Sequence, residues 1–349
     1  MDSTGWAEFQ PEVQWEDVGV RSRLVTVAVS IAAVCALALS ACSSDDDTSE
    51  SAGRITLTVG DQVKSTQSLL EAAGELNDLP YDINWASFES GPPLLEAAGA
   101  GKVDFGGTGD VPPVFAQAGG AALKIVAVQA RSKPNDFLIV PAGSTATSIA
   151  DLKGKRVAFA KGSSSHGLVL ALLEKAGLAP SDIEQTYLSP TEALSAFTAG
   201  QVDAWAVWNP YATVAQAQAQ GKVIADGAGL VTQQAYYLSS DAALADSAKR
   251  EAIADLIARL ARANKWSVTH EDQWVPIFSK LTKLPEPVAR ATFATSSGDL
   301  VAIGDEQIAK QQKLIDLFAG VKEIPKAVVA ADYFDNQFNS AVAGSGAAG

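Results

Sequence analysis

Residues that build metal and redox sites are scarce in this sequence. Its 349 residues include two cysteines, Cys35 and Cys42, and two histidines, His166 and His270. These four residues cannot supply the ligands of a usual zinc site, and they exclude a disulfide scaffold. We therefore predict neither a metal nor a cofactor.

Basic residues are also few, with 26 Lys and Arg against 40 Asp and Glu and a net charge of -14. This charge has the wrong sign for a protein that follows phosphate backbones, so we expect no nucleic-acid partner. Hydrophobic residues make up 47% of the chain and charged residues 19%. That composition is typical of a soluble globular protein, and the length suggests two domains.

The long apolar run of the chain lies near its N-terminus. Arg21 and Arg23 precede the uncharged run from Leu24 to Leu39, which is the arrangement of an export signal and is short for a membrane span. The next residues, Leu39-Ser40-Ala41-Cys42, resemble a bacterial lipobox, in which the cysteine accepts the lipid. We predict a signal peptide over residues 1–41, a lipid anchor on Cys42 and a polar tether over residues 42–53. The mature protein would lie on the outer face of the cytoplasmic membrane or in the periplasm.

The first residues of the chain do not suit an export signal. Five acids stand where such a signal is basic: Asp2, Glu8, Glu12, Glu16 and Asp17. A translation start near residues 18–20 would restore a normal short signal. We expect peptide mapping of the precursor N-terminus to decide this point.

Two stretches of the chain repeat the same order of predicted elements. Ile55 to Val59 and Arg156 to Ala160 both have strand character, and each is followed by a polar turn and a helix. Each stretch later contains a helix followed by Gly-x-Val-Asp, which ends at Asp104 in the first stretch and at Asp203 in the second. Another predicted strand follows each aspartate. The order predicts two similar α/β units; the alternative is chance recurrence of a common helix-to-strand turn. Alternating strands and helices favour parallel sheets that bind ligands at the carboxyl ends of their strands.

The repeat also predicts the domain organisation. We assign residues 136–232 to lobe 2, and residues 54–135 together with 233–340 to lobe 1. Residues after the second unit have no repeat partner, which is why we return them to lobe 1. The chain would cross between the lobes twice, forming a hinge, and residues 341–349 would be a flexible tail.

A cluster of hydroxyl groups follows the predicted strand of the second unit. Ser163, Ser164, Ser165 and His166 stand between this strand and a helix. Free N–H groups and the helix dipole favour an anion at such a terminus, although one serine there could simply cap the helix. No Lys or Arg cluster accompanies the serines, so we expect neutral donors to hold the anion. His166 could act as a protonated or as a neutral donor, and the sequence leaves both open.

The same segments argue against an enzyme. A serine nucleophile on a strand-to-helix elbow requires G-x-S-x-G, which this sequence does not contain. Farther along the chain, Trp205 and Trp208 lie in a predicted strand, where they would face opposite sides. We expect one of them to form an apolar wall of the cleft and the other to pack in the core.

Several runs of the sequence resemble the bacterial aliphatic sulfonate-binding proteins, which are solute receptors of ABC importers in the nitrate, sulfonate and taurine group. The matching runs are Gly107 to Gln117, Val157 to His166, Tyr187 to Pro190, and Val202 to Tyr211. The resemblance extends over about residues 55 to 240. It implies a type II periplasmic-binding-protein fold: two doubly wound α/β lobes joined by a two-crossing hinge around a ligand cleft. It also implies no catalysis, a monomer, a small organic sulfonate as ligand, and delivery to an ABC permease and its ATPase.

The resemblance further implies a set of ligand-binding residues. By position these are Gln62, Gly91, Pro92, Thr108, Gly109, Asp110, Ser164, Ser165, His166, Trp208 and Asn209. Two departures concern the pocket for the ligand tail: the family commonly has Asp where this chain has Asn209, and Gly-Ser where it has Gln234-Ala235. A different organic group is therefore expected. The alternatives are receptors for taurine, nitrate or a thiamine pyrimidine precursor and, in another class, a lipid-anchored hydrolase.

Overall fold

The structure is a computed structural model and describes residues 54–344. The predicted signal peptide, Cys42 and the tether lie outside the described residues. Residues 345–349 of the predicted tail also lie outside them. Within the described part, no helix has both the length and the apolar character needed to cross a membrane.

The described residues form strands and helices in alternation. The strands are β1 Thr56–Gln62, β2 Asp82–Phe88, β3 Phe105–Gly109, β4 Leu123–Arg131, β5 Asp136–Val140, β6 Arg156–Phe159, β7 Glu184–Tyr187, β8 Ala204–Trp208, β9 Lys222–Asp226, β10 Gln234–Ser240 and β11 Gly298–Val301. The helices are α1 Ser65–Ala72, α2 Gly91–Gly99, α3 Pro112–Ala118, α4 Ser164–Lys175, α5 Pro190–Thr198, α6 Tyr211–Ala219, α7 Asp241–Ala245, α8 Ser247–Ser267, α9 Glu271–Thr282, α10 Glu286–Ser296, α11 Asp305–Gly320 and α12 Asn339–Gly344.

The strands build two sheets with a shared plan. Sheet 1 has the order β11-β4-β10-β3-β1-β2 and sheet 2 the order β7-β6-β8-β5-β9. In sheet 1, β1 pairs in parallel with β2 and β3; in sheet 2, β6 pairs in parallel with β7 and β8. An antiparallel strand then follows in each sheet, β10 beside β3 and β5 beside β8. This arrangement confirms the predicted α/β class with two wound sheets.

The repeated Gly-x-Val-Asp segment has the same structural role in both sheets. Asp104 Oδ2 accepts a hydrogen bond from the Thr58 backbone N–H at 2.9 Å, and Asp203 Oδ2 accepts one from Arg156 N at 2.9 Å. Each glycine before the turn, Gly101 or Gly200, has a φ near +70°, which glycine adopts without steric cost. The two aspartates therefore fix a turn to the neighbouring strand.

The chain passes from sheet 1 to sheet 2 after β4 and returns after β9. All strands of sheet 1 come from residues assigned to lobe 1, and all strands of sheet 2 from residues assigned to lobe 2. The backbone N–H of Arg131 donates to the carbonyl of Gln233 at 2.9 Å, so the two crossings are joined by a hydrogen bond.

The helices at the C-terminal end contact residues of both lobes, and their assignment to lobe 1 stays a prediction. Trp274 and Phe293, from α9 and α10, pack with Val214 of α6 in lobe 2. Phe318 of α11 packs with Val111 of lobe 1 and Leu170 of α4.

The start of the predicted tail is helical. Residues 341–344 belong to α12, and Ala341 and Val342 pack against the core formed by sheet 1 and α8. Residues 341–344 are therefore helical where the sequence predicted a flexible tail, and two of them have a core to pack against.

Candidate functional site

A cavity lies between the two sheets, at the carboxyl ends of β1, β3 and β8. It contains about 1060 Å³ of empty space, including the space at its open mouth. Because its wall comes from both lobes, a small organic ligand in it would contact both of them. Both lobes and the helices α8 to α10 contribute to its wall.

Four of the predicted residues of lobe 1 line this cavity: Gln62, Gly91, Thr108 and Gly109. Gln62 is held in place because its Nε2 donates to the carbonyl of Gly107 at 2.9 Å. Gly91 has no room for a side chain, since a Cβ there would lie 2.1 Å from Thr108 Oγ1. Glycine at this position therefore lets the start of α2 approach the end of β3.

The serine cluster is only partly turned toward the cavity. Ser163, the N-cap of α4, and Ser164 line the wall, whereas Ser165 is fully buried and does not. Ser164 Oγ donates to Asp136 Oδ1 at 2.7 Å, and Ser165 Oγ donates to the same oxygen at 2.9 Å. Burial raises the pKa of Asp136, and these two hydrogen bonds oppose that rise. Both hydroxyl protons are thus committed to Asp136.

His166 does not contact the cavity, which corrects its predicted place beside the ligand. The imidazole is fully buried, stacks on Phe159 at 4.9 Å and meets the edge of Phe318 at 5.0 Å. Its Nδ1 accepts a hydrogen bond from Gly162 N at 3.2 Å. Burial, helped by the charge of Lys161, lowers the pKa of His166 to about 3. Of the two forms that the sequence left open, the neutral one is favoured.

Pro92 and Asp110 also lie away from the main cavity. Asp110 is buried behind it, where its Oδ2 accepts from Thr232 Oγ1 at 2.5 Å and its carbonyl accepts from Gln311 Nε2 at 3.1 Å. Burial raises the pKa of Asp110 to about 6. The carboxylate therefore joins the β3–α3 turn to the second crossing. The structure therefore does not place Asp110 in the wall of the main cavity, although the sequence predicted it as a ligand-binding residue.

Arg131, the last residue of β4, is the main feature that the sequence analysis missed. Arg131 has a charged side chain, and the other described residues that line the cavity have neutral ones. Its Nε is buried without a hydrogen-bond partner, whereas its charge interacts with the carboxylates of Asp136 and Asp110. Burial lowers its pKa, these carboxylates oppose that change, and a guanidinium stays charged in proteins. The expectation of neutral donors only is therefore corrected for the cavity wall.

The direction of β4 explains why Arg131 reaches the site. Both β3 and β4 pair antiparallel with β10, so they run in the same direction and end at the same edge. A sequence signal existed, because a lone arginine ends an apolar strand just before the first crossing. A smaller cavity behind it is lined by Arg131, Asp110 and Asp136.

The aromatic part of the wall begins at Trp208, the last residue of β8. Trp208 lines the cavity, whereas Trp205 is 1% exposed and packs in the core of lobe 2, which confirms the expected division between the two. Asn209 follows and also lines the cavity. Its Oδ1 accepts from the N–H and Oγ1 of Thr213 at 3.1 and 2.8 Å, and its Nδ2 donates to Thr295 Oγ1 at 2.9 Å.

The C-terminal helices complete the wall with residues that no motif marked. They contribute Asn264 and Ser267 from α8, Trp274 from α9, and Phe293 and Ser296 from α10. The rings of Trp274 and Phe293 lie 5.3 Å apart. The cavity thus combines one cation, amides and hydroxyls, and aromatic rings. Such a wall can hold a small organic anion with an apolar or neutral polar tail.

Comparison with known proteins shows the same type of protein along most of the chain. Residues 90–273 match the family described as NMT1/THI5 like. A protein of Escherichia coli (strain K12) named an aliphatic sulfonates-binding protein is 37% identical over 277 residues, covering 78% of this chain and 86% of the relative. A protein of Bacillus subtilis (strain 168) with the same name is 29% identical, covering 73% and 77%.

A solved structure agrees with these sequence relatives. The alkanesulfonate-binding protein SsuA from Xanthomonas axonopodis pv. citri, bound to MOPS, superposes with a TM-score of 0.75 at 34% identity, covering 81% of this chain and 99% of that one. The lobes, the crossings and the cavity described above are those of the periplasmic-binding-protein fold. The chain belongs to the family of aliphatic sulfonate-binding proteins, within the NMT1/THI5-like domain family.

Proposed function

We propose that this protein is the exported solute-binding receptor of an ABC importer and that it binds an aliphatic sulfonate in the cavity between its lobes. The observation that carries the proposal is Arg131, the charged side chain of the cavity wall, whose Nε is buried without a hydrogen-bond partner. A buried N–H donor without a partner is costly, and an ionised oxygen group of a ligand would accept its hydrogen bond. The names of the relatives supply the class of anion.

The residues that we assign to the ligand follow from this position. The sulfonate lies against Arg131, with Thr108, Gly109 and Ser164 beside it. The organic tail lies between Trp208 and the rings of Trp274 and Phe293. Gln62, Gly91 and Asn209, which were also predicted from the sequence, complete the set that we assign. A guanidinium suits the three oxygens of a sulfonate because it offers several N–H donors in one plane.

Contacts across the cleft support a receptor that closes on its ligand. Thr191 Oγ1 of lobe 2 donates to Glu89 Oε1 of lobe 1 at 2.8 Å. At the start of α4, Ser164 approaches Gly109 so closely that a Cβ on Gly109 would lie 3.1 Å from Ser164 Cβ. A ligand that touches both lobes favours the closed form, which the permease and its ATPase would recognise.

The proposal includes no catalysis. The relatives that cover most of the chain are named binding proteins, and the imidazole of His166 is buried away from the cavity and accepts from Gly162, so it is not placed as a base for a serine of the cavity wall. Attachment of the receptor to the membrane through a lipid on Cys42 is part of the proposal. We expect Cys42→Ala to release the protein from the membrane fraction.

The test is a thermal-shift screen of anions of different classes. Propane-1-sulfonate and longer alkanesulfonates should stabilise the protein by about 2.7 kcal/mol at 100 times their dissociation constants. Propionate, nitrate and a hydroxymethylpyrimidine serve as the comparison. Stabilisation by nitrate or the pyrimidine, with none by any sulfonate, would contradict the proposal.

A further inference from the structure

A hydrogen bond joins the two lobes away from the cavity. Glu89 directly follows β2 in lobe 1, and Thr191 is the second residue of α5 in lobe 2. Thr191 Oγ1 donates to Glu89 Oε1 at 2.8 Å. Both residues are half-buried, and neither lines the cavity. This pair, which we call the edge latch, therefore bonds lobe to lobe without touching the space for a ligand.

A second donor of lobe 2 faces the backbone of Glu89. The hydroxyl of Tyr211, the first residue of α6, donates to the carbonyl of Glu89 at 3.5 Å, which is a long and weak hydrogen bond. Tyr211 is buried, and its ring meets the ring of Trp208 edge-on at 5.9 Å. Trp208 lines the cavity. The position of Glu89 relative to lobe 2 is thus fixed at its side chain and at its backbone.

The latch lies at the sheet edges that are far from the crossings. In sheet 1 the crossings use β4 and β10, and β2 lies three strands from β10. In sheet 2 they use β5 and β9, and β7, the strand before α5, lies three strands from β5. Neighbouring strands are about 4.8 Å apart, so these edge strands lie about 14 Å from those at the crossings. Rotation of one lobe about the crossings moves the edges farthest, and opening therefore breaks the latch.

We propose that Glu89 and Thr191 are positioning residues that stabilise the closed form and thereby set the affinity for every ligand of the cavity. This inference rests on the proposed function. The apparent affinity of a ligand falls with the population of the form that binds it, so loss of the latch should weaken the binding of all ligands by one common factor. Because a bound ligand leaves after the lobes open, the change should appear in the rate of dissociation.

Thr191→Val tests the latch, since it removes the donor and keeps the shape of the side chain. Titration calorimetry should give dissociation constants at least about fivefold higher for both propane-1-sulfonate and pentane-1-sulfonate, because the lost hydrogen bond has a charged acceptor. Trp208 and Trp274 line the cavity, so stopped-flow tryptophan fluorescence can follow binding. The association rate should stay within twofold of wild type. Affinities within twofold of wild type, or factors for the two sulfonates that differ more than threefold, would overturn the inference.

A double-mutant cycle separates the latch from two independent effects. Glu89→Ala should weaken binding as Thr191→Val does, and the double variant should be at most about twofold weaker than either single variant. Thr191→Ser keeps a hydroxyl and should bind like wild type. If the two factors multiply in the double variant, the residues act separately and the latch is overturned. If Glu89→Ala fails to fold, the comparison of Thr191→Val with Thr191→Ser decides.

Matched variants on the same helices serve as controls. Thr198 is exposed on α5, and its hydroxyl donates to the carbonyl of Leu194 in its own helix at 2.8 Å. Glu96 is exposed on α2. Thr198→Val and Glu96→Ala should leave both affinities as they are, and a loss equal to that of Thr191→Val would overturn the latch. If wild type binds no sulfonate, the proposed function is contradicted, and the same ratios are then measured with the anion that the thermal-shift screen identifies.

Discussion

The turn after β1 and the turn after β6 occupy equivalent places in the two sheets, but they carry different chemistry. After β1, the buried carboxylate of Asp61 accepts from the N–H groups of Thr66 and Gln67 at 3.0 and 2.8 Å and caps α1. After β6, Ser163 caps α4, and the neutral imidazole of His166 is buried beneath the turn. In each turn, a side chain of the turn accepts hydrogen bonds from the free N–H groups at the start of the helix. The charge in the cavity comes instead from Arg131 on the strand that leads to the first crossing.

Burial acts on both turns with opposite consequences for pH. It raises the pKa of Asp61 to about 6, against hydrogen bonds that lower it, and it lowers the pKa of His166 to about 3. The folded state therefore binds a proton at Asp61 more readily than the unfolded chain does, and one at His166 less readily. Between pH 4 and 6 the two contributions to stability oppose each other.

Removing the carboxylate of the first turn should have the largest effect of pH over the pH ranges compared. The contribution of Asp61 is fully present below the unfolded pKa of about 3.9 and is lost as pH rises through about 6, so wild type should lose about 2.4 kcal/mol between pH 4 and 8 relative to Asp61→Asn. Urea unfolding of both proteins at the two pH values measures this difference. If the free energies of unfolding of the two proteins change with pH in the same way, the pKa of Asp61 is not raised by burial and the prediction is wrong.

Removing the imidazole of the second turn should change stability in the other direction. The unfolded chain protonates His166 below about pH 6.5 and the folded protein does not, so wild type should lose about 2 kcal/mol between pH 8 and 5 relative to His166→Phe. The same unfolding series detects it. The variant loses the acceptor for Gly162 N at every pH, so the slope with pH is the quantity to compare. A slope equal to that of wild type would contradict the burial of a neutral imidazole.

The smallest effect is expected at the serine that faces the ligand. Ser164 Oγ donates its hydrogen bond to Asp136. We therefore expect Ser164→Ala to weaken propane-1-sulfonate binding by about threefold or less. Loss of a hydrogen bond to a charged group would weaken it by about tenfold or more. Titration calorimetry decides. A loss of thirtyfold would mean that the hydroxyl turns from Asp136 to the ligand.

The frame of the molecule was predictable because it repeats. Similar segments gave two α/β units, the aspartates Asp104 and Asp203 bond to the backbone in both, and the alternation of a strand separates Trp205 from Trp208. Such features depend on local periodicity and on neighbours in the sequence.

The remaining parts of the site depend on tertiary packing. Consecutive helical residues point about 100° apart, so the serine cluster sends Ser164 to the cavity but turns Ser165 and His166 into the core. Arg131 reaches the cavity through strand order, and Trp274 reaches it through the docking of α9 on both lobes. No spacing in the sequence encodes these contacts.

The most direct measurement is the affinity of Arg131→Met for propane-1-sulfonate, with Arg131→Lys for comparison. If Arg131 holds the sulfonate, the methionine variant should bind at least about 100-fold more weakly, since loss of one partner of a buried charged pair costs about 2–5 kcal/mol. The lysine variant should lie between the two. Affinity of Arg131→Met within threefold of wild type would contradict the account.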